Sequence, residues 1–99
     1  MQETQAKLLK ALNKIPYVIA FSINQDAISL RGLPDVVVLH QGKAIFCEVK
    51  RINEAIRPDQ HYMMAKLVKV GCHCCVIRCD EDIENFVQRF ENIYCEKFI

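Results

Sequence analysis

The chain has 99 residues, with 13 Lys and Arg against 12 Asp and Glu, for a formal net charge of +1. Its 52% hydrophobic and 25% charged residues suit a single globular domain over residues 1–99, and three glycines and three prolines exclude collagen-like repeats and long disordered tracts. Apolar runs reach only about five residues, far below the ~20 that span a bilayer, and no charged-then-apolar signal opens the chain. A cytoplasmic protein with no membrane segment is therefore expected.

Leu8, Leu9, Leu12 and Ile15 recur at helical spacing, and Pro16 closes that helix at about residues 13–15. Residues 17–23 (YVIAFSI) are β-branched and aromatic, which predicts a strand. Residues 24–34 form a loop ending in Arg31-Gly32-Leu33-Pro34. Residues 35–40 (DVVVLH) and 44–50 (AIFCEVK) then flank Gln41-Gly42-Lys43 as a hairpin. After a polar loop, Pro58 suits the first turn of a helix whose stripe is Met63, Met64, Leu67, Val68 and Val70, stopped by Gly71. Residues 72–79 (CHCCVIRC) give a short strand. Asp80 is a candidate N-cap for a last amphipathic helix carrying Ile83, Phe86, Val87, Phe90 and Tyr94. The order αβββαβα defines an α/β fold, a mixed β-sheet flanked by helices.

The second hairpin strand carries an anomaly. Val36 and Val38 alternate with Val37 and Leu39, so both faces of the hairpin are apolar and helices are expected over each. Yet Glu48 and Lys50 share one of those faces, where charge is costly unless paired or bound to a metal. A Gln41-Gly42 turn pairs His40 with Lys43 and sets Asp35 opposite Glu48. A Gly42-Lys43 turn sets Asp35 opposite Lys50, whereas a three-residue loop moves Asp35 to the other face. Directly opposed Cβ atoms lie about 4.5–5.5 Å apart. Two carboxylates at that distance repel unless a cation such as Mg²⁺ sits between them. The competing structural reading is an Asp–Lys–Glu ion cluster.

Pro34-Asp35 followed thirteen residues later by Glu48-Val49-Lys50 resembles the PD-(D/E)xK nuclease signature. The wider string, Arg31-Gly32-Leu33-Pro34-Asp35, then Glu48-Val49-Lys50, then Gln60 and Gly71, resembles the VRR-NUC (virus-type replication–repair nuclease) family from about residue 3 to residue 83. That resemblance implies a restriction-endonuclease-like core and a stand-alone, minimal member. It also implies Asp35, Glu48 and the Val49 carbonyl as ligands of Mg²⁺ or Mn²⁺, Lys50 as the catalytic lysine, and Gln60 beside the catalytic centre. The family places a glutamate on the first helix, for which Glu3 is the candidate metal ligand. Arg31, Arg51 and Arg57 are the candidate DNA contacts. The activity implied is structure-specific cleavage of DNA phosphodiesters, with four-way (Holliday) junctions as a favoured substrate of a homodimer.

Residues 43–69 hold six cations against three anions, and residues 80–99 six acids against two bases. A basic middle suits a polyanion, and a dimer would double it. The last helix adds Phe98 and Ile99 to its apolar face, so it is the expected dimer contact. Six cysteines, Cys47, Cys72, Cys74, Cys75, Cys79 and Cys95, read as reduced thiols: Cys72-His73-Cys74-Cys75 lacks the second C-x₂₋₄-C pair of a structural zinc site. His40 and His61 read as surface or interface residues. The alternatives to an enzyme are a non-catalytic nucleic-acid-binding or assembly module on the same fold, and a cysteine-rich zinc module.

Overall fold

The computed structural model describes residues 2–23 and 30–98; the side chains of residues 91–98 lie outside that description. The elements run α1 (Glu3–Leu12), β1 (Ile19–Ser22), β2 (Val36–His40), β3 (Lys43–Val49), α2 (Pro58–Lys69), β4 (His73–Ile77) and α3 (Asp80–Phe98), the expected αβββαβα order. The four strands form one mixed sheet in the order β1-β2-β3-β4, antiparallel except for the β3–β4 pair. The α2 crossover makes that parallel pair possible, because a tight turn cannot join parallel neighbours. No helix among the described residues is long and apolar enough to cross a membrane.

The hairpin turn is Gln41-Gly42, with φ of 53° and 75°. Positive φ at both central residues is the type I′ geometry that matches the twist of a hairpin. It pairs His40 with Lys43 and Val36 with Cys47, so one step further Asp35 faces Glu48. Ala20, Val36, Val38, Cys47, Val49 and Ile77 lie on one sheet face and pack against Leu8 and Leu12 of α1 and Ile83, Phe86 and Phe90 of α3. The opposite face carries Phe46, Glu48 and Cys74, and there α2 docks: the Cys74 thiol donates to the Met64 carbonyl at 3.7 Å.

Coverage of that second face differs from expectation. Helix α2 lies over β3 and β4, while Ile19, Phe21 and Leu39 on β1 and β2 stay exposed. Val68 and Val70 of the expected α2 stripe are exposed as well, and Gln60 is the buried residue of that helix. α1 ends at Leu12, slightly early. The Asn13 amide turns away to pair with Ala20, donating to its carbonyl and accepting from its N–H at 2.9 Å each. Tyr17, at φ 64°, sits in the turn before β1, which shortens that strand. Asp80 is the first helical residue of α3 rather than its cap, and Cys79 supplies the carbonyl bonded by the Ile83 N–H. Most of the 24–34 loop, together with Tyr94, Cys95, Phe98 and Ile99 as side chains, lies outside the described residues.

Candidate active site

Glu48 is the pivot. It is 2% exposed, at the end of β3, on the face that α2 covers. Its Oε1 accepts a hydrogen bond from Gln60 Nε2 at 3.0 Å and lies 4.0 Å from Lys50 Nζ. Its Oε2 is buried with no hydrogen-bond donor. Burial first, then the charge of Asp35 and a contact with its carboxylate, raise the Glu48 carboxyl to about 8; Lys50 and Arg57 oppose the shift. Below that value a proton on Glu48 can bridge to Asp35; above it two carboxylates face each other with no donor between them.

Asp35 is held by the ladder it prolongs. Its Oδ2 accepts from the Val49 N–H at 2.9 Å, and its carbonyl accepts from Ile23 N at 2.9 Å. In a strand the N–H and C=O of one residue point to the same side, so the Val49 carbonyl turns toward the Asp35 side. Lys50 continues the parallel ladder through its N–H to the Ile77 carbonyl at 3.0 Å, and it too is buried.

Gln60 explains its own identity. Its Oε1 accepts from the Arg57 N–H at 3.0 Å, closing the first turn of α2, while its Nε2 serves Glu48. A residue there must accept on one side and donate to a carboxylate on the other, which glutamine does and glutamate cannot. Gly32 brings the Asp35 segment against this turn. At φ +81° it lies so close that a Cβ would overlap the Asp59 carbonyl.

These residues line one open cavity of about 730 Å³ containing Asp35, Glu48, Val49, Lys50 and Gln60, with Arg51 and Arg57 at its rim. Arg57 is exposed and pairs with Asp59 at 3.3 Å. Arg31 is exposed and does not line the cavity. Glu3 is not brought to the site: its side chain is 85% exposed and pairs with Lys7 at 3.5 Å, and α1 presents its neighbour Gln2 to the cavity instead.

Two site residues escape sequence reasoning. Glu54 lies 3.4 Å from Lys50 Nζ and accepts from the Arg51 N–H at 3.0 Å. That N–H, followed by Lys50, holds its carboxyl below the usual range. Arg78 Nη1 donates to the carbonyls of Arg51, Ile52 and Glu54 at 2.7, 3.2 and 2.7 Å, gathering the loop that carries Glu54. Arg78 has one visible signal, a cation ending an apolar strand. Glu54 has none.

No cluster of three or more His, Cys, Asp or Glu side chains suited to a metal occurs among the described residues. The oxygen set at the site is two carboxylates and a main-chain carbonyl. The orphaned Glu48 Oε2 and the Asp35–Glu48 repulsion fit a hard divalent cation, which takes oxygen ligands and is commonly held by one or two carboxylates with phosphate and water completing the shell.

This arrangement is similar to known folds. No protein-family model matches the chain, and no curated protein matches it in sequence. Among solved structures, a VRR_NUC domain aligns with a TM-score of 0.72 at 20% identity, over 88% of this chain and 92% of that one. A second, a VRR_NUC domain protein, aligns with a TM-score of 0.70 at 16% identity, over 91% and 86%. The chain has the VRR-NUC fold, an α/β nuclease fold.

Proposed function

We propose that this chain is a VRR-NUC family enzyme, a divalent-metal-dependent endonuclease that hydrolyses DNA phosphodiesters. The observation that carries the reading is Glu48: a buried carboxyl group with one oxygen fixed by Gln60 and Lys50 and the other given no donor by the surrounding residues, beside Asp35. An ion cluster built for stability would satisfy both oxygens. A non-catalytic module would not need this set kept together.

Asp35, Glu48 and the Val49 carbonyl would hold Mg²⁺ or Mn²⁺. A hard cation there supplies Lewis-acid polarisation of the phosphodiester and offsets its charge. Gln60 fixes the rotamer of Glu48, so that the ligand oxygens are in place before substrate arrives. Lys50, steadied by Glu54, reaches the same cavity; its Nζ orients the attacking water and stabilises the charge gathering on phosphate. Arg51 and Arg57 at the rim, with Arg31 beyond it, meet backbone phosphates. These contacts position the strand without reading sequence.

One site makes one nick, and few cations grip each strand. We therefore assign branched or four-way DNA as substrate and a homodimer as the acting species, in which two sites serve two strands. The test is cleavage of linear, flap, splayed and four-way DNA with Mg²⁺, Mn²⁺ or EDTA, alongside light scattering. Metal-dependent paired nicks in four-way DNA are expected. DNA binding without cleavage under every metal condition would instead establish the non-catalytic module. Junction resolution by a monomer would refute the dimer.

A further inference from the structure

We propose that Cys47 and Cys75 are a paired thiol site that a hydroperoxide oxidises to a disulfide, with Cys75 as the attacking sulfur. The two are registered Cα partners on the parallel strands β3 and β4, and they point to the same sheet face. Neighbouring strands lie about 4.8 Å apart, inside the Cα window of roughly 4.4–6.8 Å for a disulfide. The sulfurs are already 3.1 Å apart in a thiol–thiol hydrogen bond. No other described cysteine is so placed: Cys74 faces α2 and bonds the Met64 carbonyl, and Cys72 and Cys79 lie outside β4.

The partners are unequal in access. Cys47 is fully buried, whereas Cys75 lines a cavity of about 320 Å³ whose wall includes His40, Lys43, His73 and Arg89. Both ring nitrogens of His40 are buried there without a hydrogen-bond partner, which leaves a donor and an acceptor for a small polar molecule. The hydrogen bond shared with Cys47 and the charge of Arg89 draw the Cys75 thiol below its ordinary range, against the opposing effects of its burial and of Asp82.

The chemistry is balanced in two steps. The Cys75 thiolate attacks the terminal oxygen of R–O–O–H; an S–O bond forms, the O–O bond breaks, and the alkoxide leaves as ROH with the proton Cys75 gave up. Cys47 sulfur then attacks Cys75 sulfur; the S–S bond forms, the S–O bond breaks, and hydroxide leaves as water with the Cys47 proton. Two thiols are oxidised and one hydroperoxide is reduced to an alcohol and water. The bridge links residues 28 apart, closing a loop that contains α2 and Gln60, one residue before Glu48.

The experiment treats the reduced full-length chain with hydrogen peroxide and maps its cysteine peptides by mass spectrometry. A single bridge between Cys47 and Cys75 is expected, with loss of two hydrogens, together with a raised melting temperature that dithiothreitol returns to the reduced value. Cys47→Ser should leave a sulfenic acid at Cys75 that dimedone traps, and Cys75→Ser should leave Cys47 unlabelled. A wild-type chain that stays fully reduced, or that oxidises first at Cys72, Cys74, Cys79 or Cys95, overturns the proposal, and the wild-type map needs no variant to fold. None of these readouts depends on nuclease activity.

Discussion

Glu48→Gln separates the cost of the site from its chemistry. In the folded protein the Glu48 carboxyl stands at about 8, against an ordinary 4.5. A carboxyl raised on folding contributes stability that is complete below the unfolded value and is lost as pH rises through the folded one. Each pKa unit is worth about 1.4 kcal/mol, so the whole shift sets a ceiling of about 5 kcal/mol. Allowing for local relaxation and entry of water, we expect a loss of about 2–4 kcal/mol between pH 5 and pH 8.5 without metal. That is a large part of the total stability of a small domain, about 5–15 kcal/mol.

Glutamine keeps the shape, accepts from Gln60 through its carbonyl, and offers N–H groups to Asp35. Urea denaturation in EDTA should therefore show Glu48→Gln close to wild type at pH 5, more stable by about 2–4 kcal/mol at pH 8.5, and with a flatter pH profile. Added Mg²⁺ should stabilise wild type at pH 8.5 and leave the variant unchanged. Cleavage by the variant should be lost. Parallel pH profiles for the two proteins, or a variant less stable throughout, would refute the account of Glu48 as a repelled, buried carboxyl.

Three further outcomes are expected. Lys50→Ala should lower single-turnover cleavage by a factor of 100 or more, on the order of what positioned charge stabilisation contributes, with DNA affinity by anisotropy little changed; an equal fall in both would reduce Lys50 to a phosphate contact. Arg78→Ala frees the loop that holds Glu54 against Lys50, and kcat should fall about 10- to 100-fold while KM for DNA stays near wild type; wild-type kcat would show that the loop needs no anchor. Gly32→Ala drives a Cβ into the Asp59 carbonyl at a positive φ, and chemical denaturation should show a loss of about 2–3 kcal/mol; unchanged stability would mean that the loop and α2 can separate freely.

The element order was legible because most segments carry one clear period and most boundaries fall near a proline, a glycine or a charge. The register was legible only as a choice: the sequence allowed a Gln41-Gly42 turn, a Gly42-Lys43 turn or a three-residue loop, and the structure takes the first, which pairs His40 with Lys43 and sets Asp35 against Glu48. Coverage of the sheet was not legible, since Ile19, Phe21 and Leu39 alternate like core residues yet remain exposed, and alternation cannot tell which helix reaches how far. Glu54 and Arg78 were hidden for a related reason. They meet through an irregular loop, where spacing in sequence says nothing about spacing in space. The helix-one glutamate taken from the family resemblance falls at Glu3, one residue past the position that faces the cavity.

The site stands where the backbone ladder runs out, and its residues therefore carry two duties. β2 pairing ends at Val36, which would leave the Val49 N–H without a strand partner, and Asp35 supplies one with its side chain. Gln60 closes the first turn of α2 with the oxygen of the same amide whose nitrogen holds Glu48. Substituting either residue therefore disturbs the fold and the site together, and lost cleavage would not tell which had failed. Glu48 differs: its side chain makes no hydrogen bond to the main chain that the fold depends on, and its burial is a net cost until something positive joins it. A residue retained at a cost to stability, and aimed at a second carboxylate, is the one whose replacement reports on chemistry with the fold left whole.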